Sequence, residues 1–227
     1  MRGKMRHMRD RSSAAAGAWL LIAALASASV AAEPLPSLES NGLAQGPCSL
    51  MHMMLQKTIL RINVATIDVR VDQQTQSRLA NLLRGQVYSD NLAQQLASVA
   101  IAAGRAVVQM QFKRDVSLDR WIGVVHENLE QARVAGLIDA GLERQVDQGL
   151  PQWFASLRQR GYQKGDRLIY AVERDSLRTV VVSAAGQVMV DRFEREQGTR
   201  RVVLASYFAP GSDFREPLLR SLWGAAR

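Results

Sequence analysis

The sequence predicts an α+β domain in which an antiparallel sheet carries helices gathered mainly on one face. Three observations lead there. A long run with strand character opens the domain, helical periodicity fills the middle and the tail, and three short alternating segments between Leu168 and Val190 are separated by turn residues. The alternative arrangement is a doubly wound parallel sheet. With 227 residues, 47% of them hydrophobic and 22% charged, the chain has room for one sizeable core.

The first 32 residues read as an export signal. Arg2, Lys4, Arg6, Arg9 and Arg11 precede the apolar run Ala14 to Ala32, which ends in small residues suited to cleavage after Ala32. A retained single-span anchor is the alternative, because the run approaches bilayer length. Its Ala and Ser content and the Pro-containing stretch that follows favour removal, so a periplasmic or secreted protein with no membrane span after processing is expected. The formal charge of +8 loses its meaning as a nucleic-acid signal on the same ground. Beyond Ala32 there are 24 basic and 20 acidic residues.

Residues 33–47, rich in Pro, Gly, Ser and Asn, read as a flexible linker, and the domain proper is expected over 48–224. Cys48 is the only cysteine, so no internal disulfide is available; burial as a small hydrophobe is its expected state. Between Leu50 and Val71 the alternation changes phase. Leu60, Ile62 and Val64 share one face, Ala65, Ile67, Val69 and Val71 the other, which predicts a long bent strand with a bulge near Val64-Ala65.

Leu79, Leu82 and Leu83, then Leu92, Leu96, Val99 and Ala103, recur at helical spacing and predict two helices, the second capped by Ser89. Val108, Met110 and Phe112 alternate with polar residues as a half-buried strand. Ser117 then caps a helix whose stripe is Leu118, Trp121, Ile122, Val125 and Leu129. Leu142, Val146, Leu150, Trp153 and Leu157 continue the helical period, and Pro151 predicts a kink or a new helix. The three short strands form a meander turning at Asp175-Ser176 and Ala185-Gly186. Two amphipathic helices close the chain, around Arg200 to Phe208 and across Phe214 to Leu222, the last ended by Gly224.

Motifs for hydrolytic, nucleotide-dependent or zinc chemistry are missing: there is no Gly-rich phosphate loop, no G-x-S-x-G and no zinc spacing. No cofactor is expected. Cys48, Met51, His52, Met53 and Met54 are soft donors that suggest haem or copper, but on a strand Met51 and Met53 face away from His52. Haem ligation by His52 or His126 is therefore a subsidiary reading, and His126 is expected as a boundary histidine. Arg192, Arg195, Arg200 and Arg201, interleaved with acidic residues, read as a solvated helix face and not as a nucleic-acid patch.

Several strings, taken in order, resemble the chalcone isomerase-like family, in particular its bacterial exported members. Residues 56–71, QKTILRINVATIDVRV, resemble the family's first long strand, and Phe112 to Val116 the F-x-R-D-V junction between strand and helix. Trp121 and Asn128 match a W-x6-N helix, and Lys164-Gly165-Asp166 the K-G-D that opens the meander. Gly186 and Phe193 fit its turn and exit, and Val202 to Pro210 with Leu218 to Gly224 fit the closing helices. The resemblance spans about residues 48 to 224.

This resemblance implies an open-faced β-sandwich with an apolar cleft between a curved antiparallel sheet and its helices. Plant members cyclise chalcones there, with an arginine beside the reacting group; others bind fatty acids without catalysis. Where many relatives place that arginine, two residues before the lysine aligned with Lys57, this chain has Leu55. Leucine can neither stabilise an oxyanion nor pair with a carboxylate. Arg61 would share Leu55's face on a regular strand. The expectation is a non-enzymatic protein binding an apolar small molecule, such as a fatty acid, with Leu55, Arg61, Trp121, His126 and Asn128 at the cleft. The rival readings are a lyase or isomerase acting on a conjugated ketone through Arg61 and Asn128, and a ligand-free interaction protein of the cell envelope.

Overall fold

The computed structural model describes residues 34–57, 62–195 and 198–225. Strands β1 (Leu50–Lys57) and β2 (Ile62–Val71) form an antiparallel hairpin, where the sequence predicted one long strand. The connecting residues 58–61 lie outside the described ones. Nothing in Thr58-Ile59-Leu60-Arg61 signals a turn, since the segment has no Gly, Pro, Asn or Asp. The phase slip is nonetheless a bulge at the expected place. Leu55 pairs with Ala65 and Gln56 with Asn63, so Val64 is the extra residue on β2, and its carbonyl accepts a hydrogen bond from Lys113 N at 2.8 Å.

Helices α1 (Gln73–Leu83) and α2 (Asp90–Ile101) follow, capped by Asp72 and Ser89, whose side chains accept from Thr75 N and Leu92 N. Next come β3 (Ala106–Phe112), α3 (Leu118–Val134) with Ser117 as its cap, and α4 (Ala140–Trp153) capped by Asp139. No new helix starts at Pro151. α4 runs through the proline and stops two residues later, before a single 3-10 turn over Ala155–Leu157, because the lost N–H bond falls in the last turn. Strands β4 (Arg167–Val172), β5 (Leu177–Val182) and β6 (Val188–Glu194) complete the meander. Helices α5 (Thr199–Phe208) and α6 (Arg215–Ala225) close the chain, α6 extending through Gly224 instead of stopping at it.

All five neighbouring strand pairs are antiparallel, in the spatial order β1 to β6, which rules out the parallel alternative. One face of this sheet presents Met51, Met53, Leu55, Ala65, Ile67, Val69, Val71, Ala106, Val108, Met110, Phe112, Leu168, Val172, Leu177 and Val181 to the helices, and these share one continuous core with them. Among the described residues the opposite face has a small apolar cluster of Val107, Ile169, Val180 and Val182, overlaid by Leu38 and Leu43. Part of the segment read as a flexible linker is thus packed, with Pro36, Leu43 and Ala44 buried. Leu43 bridges to Asp72, Ala44 N donates to Val71 O at 2.9 Å, and both residues are buried, because the sheet's apolar back needs a cover.

Two motif segments are joined across 49 residues. Val116 and Tyr162 exchange backbone hydrogen bonds at 2.8 Å, Lys164 N donates to Asp115 Oδ1 at 2.8 Å, and Gly165 N donates to Phe112 O. Asp166, fully buried, accepts from Arg160 Nη1 at 2.8 Å, Gln163 N at 2.8 Å and Ala184 N at 3.1 Å, fixing the entry to β4. Gly161 holds φ 64°, and a Cβ there would lie 2.4 Å from Val116 O, so this junction tolerates only glycine.

Candidate functional site

The inward face of the sheet and the helices above it do not close completely. Between them lies a cavity of about 100 Å³. Its floor comes from every strand: Leu55, Val64, Met110, Phe112, Tyr170, Leu177, Thr179, Val190, Arg192 and Glu194. α3 supplies Trp121, Val124, Val125, Asn128 and Leu129; α4 supplies Val146, Leu150 and Trp153; α5 supplies Val202, Val203, Ser206 and Tyr207. Phe154 and Phe214 complete it. Period-2 alternation sends every second strand residue to this side, and the i, i+3, i+4, i+7 stripe of α3 answers it.

An aromatic wall stiffens one side. Trp121 meets Phe154 edge-on at 4.7 Å between centroids and Tyr162 at 5.4 Å, and Tyr162 stacks on Phe112 at 4.2 Å. Trp153 closes another. It folds back on Gly149, where a Cβ would meet its Cζ2 at 2.1 Å, and the Arg192 guanidinium lies 4.1 Å from its ring centroid. Arg192 Nε also donates to Glu194 Oε1, whose side chain is only 10% exposed. The positive charge on the floor is thus matched by a carboxylate of the same strand.

Three of the residues expected at the cleft lie on it: Leu55, Trp121 and Asn128. Asn128 is engaged at both ends of its amide, Nδ2 donating to Val124 O at 2.8 Å and Oδ1 accepting from Ser212 Oγ at 2.7 Å, so it ties α3 to the segment before α6. His126 is elsewhere. It is exposed on α3 with Nε2 3.2 Å from Asp147 Oδ1 of α4, one residue round from the stripe that faces the cavity. Burial pushes the Asp147 carboxyl above its ordinary range, with Glu143 adding to this and His126 opposing it. Arg61 lies outside the described residues.

His52 is on the opposite face of the sheet, its Nδ1 2.6 Å from Asp68 Oδ1 of the neighbouring strand, while Met51 and Met53 are buried in the core. Among the described residues no cluster of three or more His, Cys, Asp or Glu is arranged to hold a metal. Cys48 is buried, and that burial raises its pKa. The basic run read as one helix face is divided: Arg192 belongs to β6 and points inward, because β6 runs from Val188 to Glu194, beyond Val190.

Tyr170, Thr179, Arg192, Glu194 and Tyr207 were not placed at the cleft from sequence. The alternation of Leu168, Tyr170 and Val172 placed Tyr170 on one face of a strand, but only the pairing Tyr170 to Thr179 to Arg192 shows that these three form one row. Burial pushes the Tyr170 hydroxyl well above 10, with smaller contributions from Tyr207 and Glu194, and burial alone raises that of Tyr207. Both therefore stay protonated and can donate hydrogen bonds.

No protein-family model and no curated protein matches this sequence. Among solved structures, the crystal structure of a fatty-acid binding protein from Arabidopsis thaliana is similar over 85% of this chain and 94% of its own, with 12% identity and a TM-score of 0.50. At that identity the likeness is one of fold, and the fold of this chain is chalcone isomerase-like, a six-stranded antiparallel open sheet with its helices packed on one side.

Proposed function

We propose that this protein is an exported, non-catalytic binding protein that holds an apolar small molecule, a fatty acid or a similar compound, between sheet and helices. The observation that carries the reading is the apolar cavity spanning the width of the sheet, since apolar surface facing a closed cleft is the usual setting of a small-molecule site. The similar Arabidopsis protein, by its description, binds fatty acids, which supports the same class of ligand here. The N-terminal basic and apolar segments support export.

Two features favour binding over chemistry. Leu55 on the cavity floor supplies no electrophile, and Asn128 has both ends of its amide engaged within the protein. Size sets the terms. At about 100 Å³ the cavity is smaller than the roughly 150 Å³ that accommodates benzene and well below the ~300 Å³ of drug-sized pockets, so a long chain enters only if Trp153 and Arg192 move.

Protein purified natively should release an apolar compound on organic extraction, detected by mass spectrometry. Stripped of it, the protein should bind six- to twelve-carbon fatty acids saturably, the longer ones shifting tryptophan emission as Trp153 is displaced. A clean protein with no affinity for any acyl chain would overturn the proposal.

A further inference from the structure

The cavity's polar groups fall into two sets. The first is satisfied within the protein: Asn128 by Val124 and Ser212, Ser206 by the Val203 carbonyl at 2.8 Å, and Arg192 by Glu194. The second is not. Tyr170, Thr179 and Tyr207 line the cavity, and among the described residues none of their hydroxyls is hydrogen-bonded to the protein. Thr179 and Tyr207 are buried, Tyr170 is half-buried, and all three border the cavity. Tyr170 and Thr179 are direct cross-strand neighbours on β4 and β5, and Tyr207 faces the same cavity from α5.

Buried hydroxyls are almost always paired, because leaving a donor desolvated and unmade is costly. Three hydroxyls that border one cavity without a partner in the protein are therefore donors available to a ligand that carries an acceptor. Its charge follows from the surroundings. Both phenols are held protonated by burial, so the row offers donors. Arg192, the cation next in the row, is engaged by Glu194, and that carboxylate would repel a second one. Arg120, the other cation of the lining, is exposed to solvent, where its charge is screened.

We infer that Tyr170, Thr179 and Tyr207 form a subsite for the neutral oxygen of an apolar ligand, a ketone, aldehyde, ester or alcohol, in preference to a carboxylate. The apolar body then lies against Leu55, Val64, Phe112 and Trp121. This inference rests on the cavity being a binding site, and it narrows the ligand from fatty acids to their neutral oxygenated counterparts.

Three six-carbon probes separate the possibilities: hexane, 2-hexanone and hexanoate, titrated at pH 7 into protein expressed from the whole sequence and followed by amide NMR shifts. The expected result is about tenfold tighter binding of 2-hexanone than of either other probe. Tyr170→Phe and Tyr207→Phe should each weaken 2-hexanone binding several-fold and leave hexane unchanged, hexane serving as the control that the cavity is intact. Equal binding of hexane and 2-hexanone, with no effect of either substitution, overturns the subsite and leaves the cavity as a binding site. Hexanoate binding tightest overturns the preference for a neutral oxygen. No binding by any probe overturns the cavity reading itself, and the subsite with it.

Discussion

Gly149 shows how one residue sets the cavity's boundary. An alanine there would put its Cβ 2.1 Å from Trp153 Cζ2, a contact relieved only by turning the indole outward. That movement breaks the stacking of Arg192 on Trp153, worth about 0.5–1 kcal/mol at a partly exposed site. Alanine in a helix interior is in turn favoured over glycine by roughly 1 kcal/mol. Gly149→Ala should therefore leave stability within about 1 kcal/mol of the parent, measured by chemical denaturation, while red-shifting tryptophan emission. A loss of several kcal/mol without a spectral change would mean that Trp153 is fixed and cannot act as a gate.

At the scale of elements, Asp72 joins parts that are distant in sequence. It ends β2, caps α1 by accepting from Thr75 N at 2.8 Å, and accepts from Arg105 N at 2.9 Å before β3. Burial alone would raise its pKa, but the hydrogen bonds from Thr75, Arg105 and Gly104 outweigh it and hold the carboxyl below its ordinary value of 3.8. A depressed pKa in the folded state means that the charged form stabilises the fold above the unfolded value, and that this contribution is lost as pH falls through the folded one. Asp72→Ala should cost about 1–2 kcal/mol at pH 7, and the gap from the parent should narrow as pH drops below 3.8. Urea melts at pH 7 and pH 3 measure it; a gap that does not change with pH would assign the loss to packing instead.

Across the whole molecule the two faces of the sheet have different covers. Among the described residues six helices overlie one face, and Leu38 and Leu43 from the stretch before β1 overlie Val107, Ile169, Val180 and Val182 on the other. Leu43→Asp would place a charge on that patch and uncover it. The expected loss is about 2–3 kcal/mol, with increased binding of a hydrophobic dye and a lower denaturation midpoint. An unchanged midpoint would show that the sheet's back does not depend on this cover. α6 has a related role at the sheet's edge: Ser221 Oγ accepts from the His52 backbone N at 2.9 Å, satisfying part of β1's open side.

Much of the fold was legible because its signals are local. Ser89 and Ser117 announce helix starts by their own chemistry, the meander by its turn residues, and the bulge at Val64 by a slip in a two-residue period. Leu55, Trp121 and Asn128 could be placed because a family resemblance supplied the missing long-range information. Tertiary structure alone decided the rest. It turned one predicted strand into a hairpin, drew the supposed linker onto the sheet, took His126 away to Asp147, and brought Tyr170, Thr179, Arg192 and Tyr207 together. Side-chain direction along a strand follows from the pleat, but which residue stands beside which depends on register between strands, and that is fixed by packing over distances no local pattern encodes.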